Sequence, residues 1–273
     1  MKIKFYGTRG SIPVCDTGFQ EFGGNTTCLQ VTFENDQILI LDAGSGIRNL
    51  GKDLIQNGHE QFEDIFIAFT HFHWDHIQGF PFFAPAFDPR RHFTITALGK
   101  NREIQNLKEI FENQMEWVYF PVALDNMGAT FKFHHPESET LQLNSATITA
   151  KLHEHPGQAY SYRIEENDKI LVFSTDVEHS NGIDERIIKV AQDADILIHD
   201  AQYTDEELVN RKGWGHSSWQ QAVEVAERAN VKYLILTHHD PEHNDEFLTK
   251  VEKEAQAHFP NCHFAREREE IIL

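Results

Sequence analysis

The sequence predicts an α/β protein (α+β in the broad sense), a mixed sheet-and-helix architecture in a single domain over residues 1–273. Three observations carry that expectation. Short runs rich in Ile, Val, Leu and Phe alternate with helix-like stretches. No repeat, low-complexity tract or linker interrupts the alternation. Five apolar runs stop on an aspartate or a histidine, and the carboxyl ends of strands commonly hand side chains to one crevice.

Taken in order, Met1-Lys2-Ile3-Lys4-Phe5-Tyr6-Gly7 reads as a strand over 3–6, not as a secretory signal. Strands are expected over 28–33 and 38–41, then a helix over 47–56. Strands over 65–70 and 93–97 precede a helix over 102–117. Strands over 146–152, 160–164 and 169–174 follow, rich in the β-branched and aromatic residues that suit a pleated surface. A helix over 183–191, a strand over 195–199 and a helix over 205–212 come next. The helix over 218–229 starts on a serine cap, Ser217-Ser218, and carries apolar residues at helical spacing. A strand over 233–237 and a helix over 245–258 complete the pattern.

Bulk properties narrow the function. Hydrophobic residues make up 40%, enough for a sizeable core, and no stretch approaches the roughly 20 apolar residues of a membrane helix. Cys15, Cys28 and Cys262 are odd in number and scattered, which argues against a disulfide framework and fits a reducing cytoplasm. The formal net charge is -19, which repels a long nucleic acid unless a local basic patch compensates. The nearest candidate, Arg90-Arg91-His92, is short and reads as a solvated turn. Divalent cations held among histidines and aspartates would let an acidic protein attract a small anion.

The most informative segment is Ile65-Phe66-Ile67-Ala68-Phe69-Thr70-His71-Phe72-His73-Trp74-Asp75-His76. A buried-strand pattern ends in His-x-His-x-Asp-His. Imidazole nitrogen and carboxylate oxygen are the ligands that zinc and similar metals prefer, and such groups crowd one another unless a cation organises them. Further strand ends offer Asp42, Asp176, Asp200 and His238.

With these residues in place, the chain resembles the metallo-β-lactamase superfamily over nearly its whole length: Asp42 with Gly44, His71-x-His73-x-Asp75-His76, a later histidine, Asp176 and a final histidine, in that order. The resemblance implies a four-layer αββα sandwich with a two-metal site along one edge of the paired sheets. A glutamate at position 73 would have suggested a di-iron redox branch; His73 favours the hydrolytic one. The second half resembles the tRNase Z-like and cyclic-nucleotide phosphodiesterases, through His155-Pro156-Gly157, Tyr162-Arg163, Ser174-Thr175-Asp176, His199-Asp200-Ala201, His216-Ser217-Ser218 and Leu236-Thr237-His238. The Gly7-Thr8-Arg9-Gly10-Ser11 and Gly23-Gly24-Asn25-Thr26 loops also match.

That family pattern implies one metal on His71, His73 and His155, a second on Asp75, His76 and His238, and Asp176 as the bridge. His153 and His239 compete with His155 and His238; the spacing to Tyr162-Arg163 and the Leu-Thr-His pattern favour the latter pair. Two divalent ions are implied, zinc foremost, with manganese and iron as alternatives. Asp42 is expected to orient a metal-binding histidine. Asp75, Asp200 and His216 are the expected catalytic residues. Asp200 would hold His216 as an imidazolium facing the phosphoryl oxygens or the leaving group. The alternative is that His216 caps the helix near Ser217.

The expected activity is hydrolysis of a small, even cyclic, nucleotide phosphodiester by a hydroxide between the metals. Alternatives are tRNA 3′ processing, thioester or lactam hydrolysis, and a non-catalytic ligand-binding role. Long nucleic acid and membrane are not expected as partners, and the resemblance admits a homodimer. Aromatics at Phe80, Phe82, Phe83 and Phe87, with Trp117, Tyr119, Phe120 and Trp214, read either as core or as a base-stacking or subunit surface. The remaining histidines read as surface or structural groups. Arg266-Glu267-Arg268-Glu269-Glu270 reads as a solvated face.

Overall fold

Alternate side chains of each central strand bury on opposite faces, and that pattern builds four layers. The computed structural model describes residues 1–56, 64–102, 104–136 and 138–273. Strand β1 (Lys2–Gly7) is followed by β2 (Cys28–Thr32), β3 (Ile38–Leu41), helix α1 (Ile47–Gln56), β4 (Asp64–Ala68), the short helix α2 (Trp74–Ile77), β5 (His92–Thr96), α3 (Leu107–Gln114) and β6 (Thr130–His134). The second half runs β7 (Thr140–Leu143), β8 (Ala146–His153), β9 (Ala159–Glu166), β10 (Lys169–Ser174), α4 (Glu185–Ala191), β11 (Ile196–Asp200), α5 (Asp205–Leu208), α6 (Trp219–Arg228), β12 (Tyr233–Thr237), α7 (Asp245–His258), β13 (Cys262–Phe264) and β14 (Glu270–Ile272).

Two seven-stranded sheets result, in the orders β14-β1-β2-β3-β4-β5-β6 and β13-β12-β11-β10-β9-β8-β7. Leu39 and Leu41 enter the core between the sheets, together with Phe173, Ile198 and Ile235. Ile38 and Ile40 face the other way, under Ile47, Leu50 and Leu54 of α1. In the second sheet Leu234 and Leu236 pack beneath Ala222, Val225 and Ala226 of α6. Strands buried on both faces explain the continuous apolar runs. Each such side chain taken from water stabilises by about 1.5–3 kcal/mol. The expected αββα sandwich is the fold observed. Among the described residues no helix is long and apolar enough to cross a membrane.

Some elements differ from expectation. α3 is shorter than 102–117 because the Asn106 side chain accepts from Lys108 N–H and starts the helix there; residue 103 lies outside the described residues. α5 spans one turn, closed by a Thr204/Glu207 capping box. The chain then reverses at Gly213 and Gly215, both with positive φ. The charge run near the end is a solvated face only in part: Arg268 and Glu270 are exposed, but Arg266 and Glu267 turn inward to partners. Arg266 donates to both Glu252 oxygens, at 2.8 and 2.9 Å, and to Glu21 at 3.0 Å, while Glu267 accepts from the Asn25 backbone and side chain. β14 then pairs antiparallel with β1.

The parallel pairing of β3 with β4, and of β10 with β11 and β12, brings their carboxyl ends to two facing edges. Just beyond those ends Asp42, Asp176 and His238 adopt φ of 61°, 55° and 64°. Non-glycine residues avoid this left-handed region, at a cost of order 1–3 kcal/mol, and it recurs at functional sites. Here the turn redirects three side chains into one crevice.

Candidate metal centre

Two groups of ligand atoms meet at this crevice. His71, His73, His155 and Asp176 form one; Asp75, His76, Asp176 and His238 form the other; within each, the atoms lie inside 4.8 Å of one another. α2 begins immediately after His73, so Asp75 and His76 are delivered from its first turn while His71 and His73 stay in the extended approach. Asp176 serves both groups with different oxygens. Its Oδ1 lies 3.1 Å from His76 Nε2 and 3.2 Å from His238 Nε2. Its Oδ2 lies 3.5 Å from His71 Nε2 and 4.0 Å from His155 Nε2. All seven residues expected as ligands are brought together, and Asp200 and His216 form a third such group with His238.

The imidazoles are oriented from behind. His76 Nδ1 pairs with Asp42 Oδ2 at 2.8 Å, His155 Nδ1 with the Gly215 carbonyl at 2.9 Å, and His238 Nδ1 with Gln202 Oε1 at 3.1 Å. Such acceptors keep the proton on the outer nitrogen and leave the inner one free to ligate. Asp42 also accepts from Thr70 N–H and Thr70 Oγ1, each at 2.8 Å. Ser11 N–H donates to Asp75 Oδ2 at 2.9 Å.

Cations fit this set. His71 Nε2 is buried without a hydrogen-bond partner. His73 Nδ1 faces His155 Nε2 at 3.1 Å, and His76 Nε2 faces His238 Nε2 at 3.3 Å, nitrogen against nitrogen. Asp42, Asp75, Asp176 and Asp200 are all buried, and uncompensated buried carboxylates are costly. Burial opposes ionisation of Asp176, yet the His238, His76 and His71 imidazoles hold it well below the usual carboxylate range. Burial likewise disfavours a charged His238, but Asp176, Asp75 and Asp200 raise it to about 9. Burial pushes His71 well down, so it stays neutral. Imidazole and carboxylate donors together are those of zinc-type sites.

Beside the second group, His216 Nδ1 donates to Asp200 Oδ2 at 2.9 Å. The His216 ring stacks on His238 at 4.9 Å between centroids. Asp200 also accepts from Asp176 N–H and Ser217 N–H, each at 3.0 Å. The helix-cap alternative for His216 is wrong: Ser218 is the cap and forms a capping box with Gln221. His153 spends both ring nitrogens on Ser161 Oγ and the Asp176 carbonyl. His239 Nε2 bonds the Ala265 carbonyl. Neither belongs to either ligand group.

The aromatic residues divide. Phe80 and Phe83 are core, whereas Phe82, Trp117, Tyr119 and Trp214 are more than half exposed. Sequence reasoning missed Gln202, the Gly215 carbonyl and Glu178, whose carboxylate accepts from Gly213 and Gly215 N–H. Only Ser11 had a signal, through its matched loop.

Against known proteins, the family described as beta-lactamase superfamily domain matches residues 37–239. The chain belongs to that superfamily. Ribonuclease Z of Gemmatimonas aurantiaca is 25% identical, over 99% of this chain and 95% of its own length. The crystal structure of human tRNase Z, short form, aligns with TM-score 0.69 at 18% identity, over 100% of this chain and 99% of that one. A diphosphatase of the PhnP family aligns with TM-score 0.72 at 17% identity, over 100% and 97%. The metallo-β-lactamase fold is therefore established, and sequence similarity runs to the tRNase Z-like branch. With its paired His/Asp groups the chain is a metal-dependent hydrolase with a dinuclear divalent metal site.

Proposed function

We propose that this chain is a phosphodiesterase whose metals are held by His71, His73 and His155 on one side and Asp75, His76 and His238 on the other, with Asp176 between. The observation that carries the reading is the Asp200–His216 pair set against the second group. When bound, two divalent ions, zinc by the imidazole-rich donor set, supply Lewis acidity toward the phosphoryl oxygens and a nucleophile at neutral pH. The chain's own part is positional. Asp200 accepts from His216 Nδ1–H and fixes the ring, so that a second proton, carried on Nε2, would stabilise a phosphoryl oxygen or pass to the leaving alkoxide. Asp75, pinned by the Ser11 N–H, keeps one oxygen turned to the ligand group.

The names of the relatives support an RNA phosphodiester as substrate, in a 3′-processing reaction of the ribonuclease Z kind. A second reading, a small or cyclic nucleotide, draws on two observations. The net charge of -19 opposes a long polyanion. The cleft against His71 and His73 is only about 260 Å³, with Arg102 in its wall over the Tyr160 ring at 3.9 Å. Action in the cytoplasm is part of the same proposal, in keeping with three free cysteines.

The test is hydrolysis by metal-loaded protein of bis-p-nitrophenyl phosphate, cyclic mono- and dinucleotides, and precursor tRNA. Turnover of phosphodiesters over esters and lactams is expected. Cleavage of precursor tRNA alone selects the RNA reading; cleavage of small nucleotides alone selects the second. Metal-replete protein inert toward every phosphodiester ends the proposal.

A further inference from the structure

We propose that the cleft under Trp214 is a nucleobase subsite of the same centre, so that the phosphodiester hydrolysed carries a nucleoside on that side. The inference rests on the phosphodiesterase reading and adds the recognition element.

The cleft measures about 470 Å³ and is lined by Ser11, Gln202, Tyr203, Arg211, Trp214 and Asp240, among others. That is room for one small planar ligand. It shares walls with the metal centre. Ser11 N–H holds Asp75, Gln202 Oε1 faces His238 Nδ1, and the Tyr203 ring lies 6.0 Å from the His216 ring. A group bound there is therefore adjacent to both the ligands and the Asp200–His216 pair.

Trp214 leaves 58% of its surface in water, although aromatic rings gain most when covered. Its loop is anchored. The Glu178 carboxylate accepts from Gly213 N–H at 2.5 Å and Gly215 N–H at 2.9 Å. Those glycines sit at φ 82° and 91°, which side chains rarely adopt. The Gly215 carbonyl in turn accepts from His155 Nδ1. The exposed indole is thus fixed between two pinned residues, one of which touches a candidate ligand. The Arg211 guanidinium lies 4.7 Å from the indole centroid and 6.0 Å from the Tyr203 ring, which stiffens the platform.

Charge selects the occupant. Asp240 and Glu242 line the same cleft against one Arg211, while Glu207 is spent on His243, 2.8 Å away, and on the Thr204 cap. Carboxylates in that number oppose a second phosphate and suit the N–H edge of an uncharged base. Stacking on an indole face accepts any base.

The test compares AMP with ribose 5-phosphate by titration calorimetry on the metal-loaded chain, alongside bis-p-nitrophenyl phosphate hydrolysis. Wild type is expected to bind AMP about tenfold or more tightly than ribose 5-phosphate. Trp214→Ala should bring that ratio close to one, and Trp214→Phe should keep most of it; the exposed position makes misfolding no obstacle. An unchanged ratio in Trp214→Ala, or no preference in wild type, overturns the subsite, while continued hydrolysis shows that the phosphodiesterase reading stands. A wild type that hydrolyses nothing removes that reading and this inference together.

Discussion

Replacing Asp42 by asparagine isolates what a buried carboxylate contributes without touching a ligand. Asp42 makes three contacts at 2.8 Å: with His76 Nδ1, Thr70 N–H and Thr70 Oγ1. Asparagine preserves size and one acceptor, so the Thr70 N–H remains satisfied. What changes is the partner of His76. An amide NH₂ facing Nδ1 donates where the carboxylate accepted, which drives the ring proton to Nε2, the atom 3.1 Å from Asp176 Oδ1. That nitrogen can then no longer ligate without losing its proton. Outer acceptors of this kind are worth about 10–100-fold in metal affinity, or roughly 1.4–2.8 kcal/mol at 1.4 kcal/mol per decade. The loss falls on the Asp75, His76 and His238 group alone. Competition with a chelator, read as metal per chain by mass spectrometry, should therefore show one site weakened and one retained. Two sites of wild-type affinity in Asp42→Asn would refute the reasoning about tautomer control.

Three other predictions follow from the same structure. His216→Ala should lower kcat by about 10²-fold with two metals still bound, and wild-type turnover would exclude the proposed proton role. Phe83→Ala, which hollows a fully buried site, should cost about 3–5 kcal/mol in urea unfolding; Phe82→Ala, at 58% exposure, should stay within about 0.5 kcal/mol. Burial, reinforced by His199 and His153 and opposed by Asp184 and Asp200, pushes His179 down to about 3. The unfolded imidazole takes up a proton near 6.5, so this contribution is complete above that pH and shrinks as pH falls toward 3, by about 1.4 kcal/mol per unit. His179→Asn should flatten the acid limb of stability against pH relative to wild type; identical slopes would contradict it.

What the sequence disclosed follows from what a chain can encode locally. His71, His73, Asp75 and His76 stand within six residues and declare themselves. Asp42, Asp176 and His238 were legible because each follows an apolar run, though the left-handed turns that aim them were not. The choice between His238 and His239 becomes physical only once β12 exists, with His239 directed to the Ala265 carbonyl. The Gly215 carbonyl has no signature, because every residue has one. Glu178 looks like any surface acid until the Gly213 loop folds over it. β6, β7, β13 and β14 carry no strand signature for a related reason: they are short edge strands whose charged or polar residues read as loop.

The most direct measurement is anomalous diffraction from crystals grown with ample zinc or manganese. The account predicts two peaks a few ångströms apart, one against His71, His73 and His155, the other against Asp75, His76 and His238, each with one oxygen of Asp176. A single peak, peaks elsewhere, or these side chains turned away from the density would contradict it.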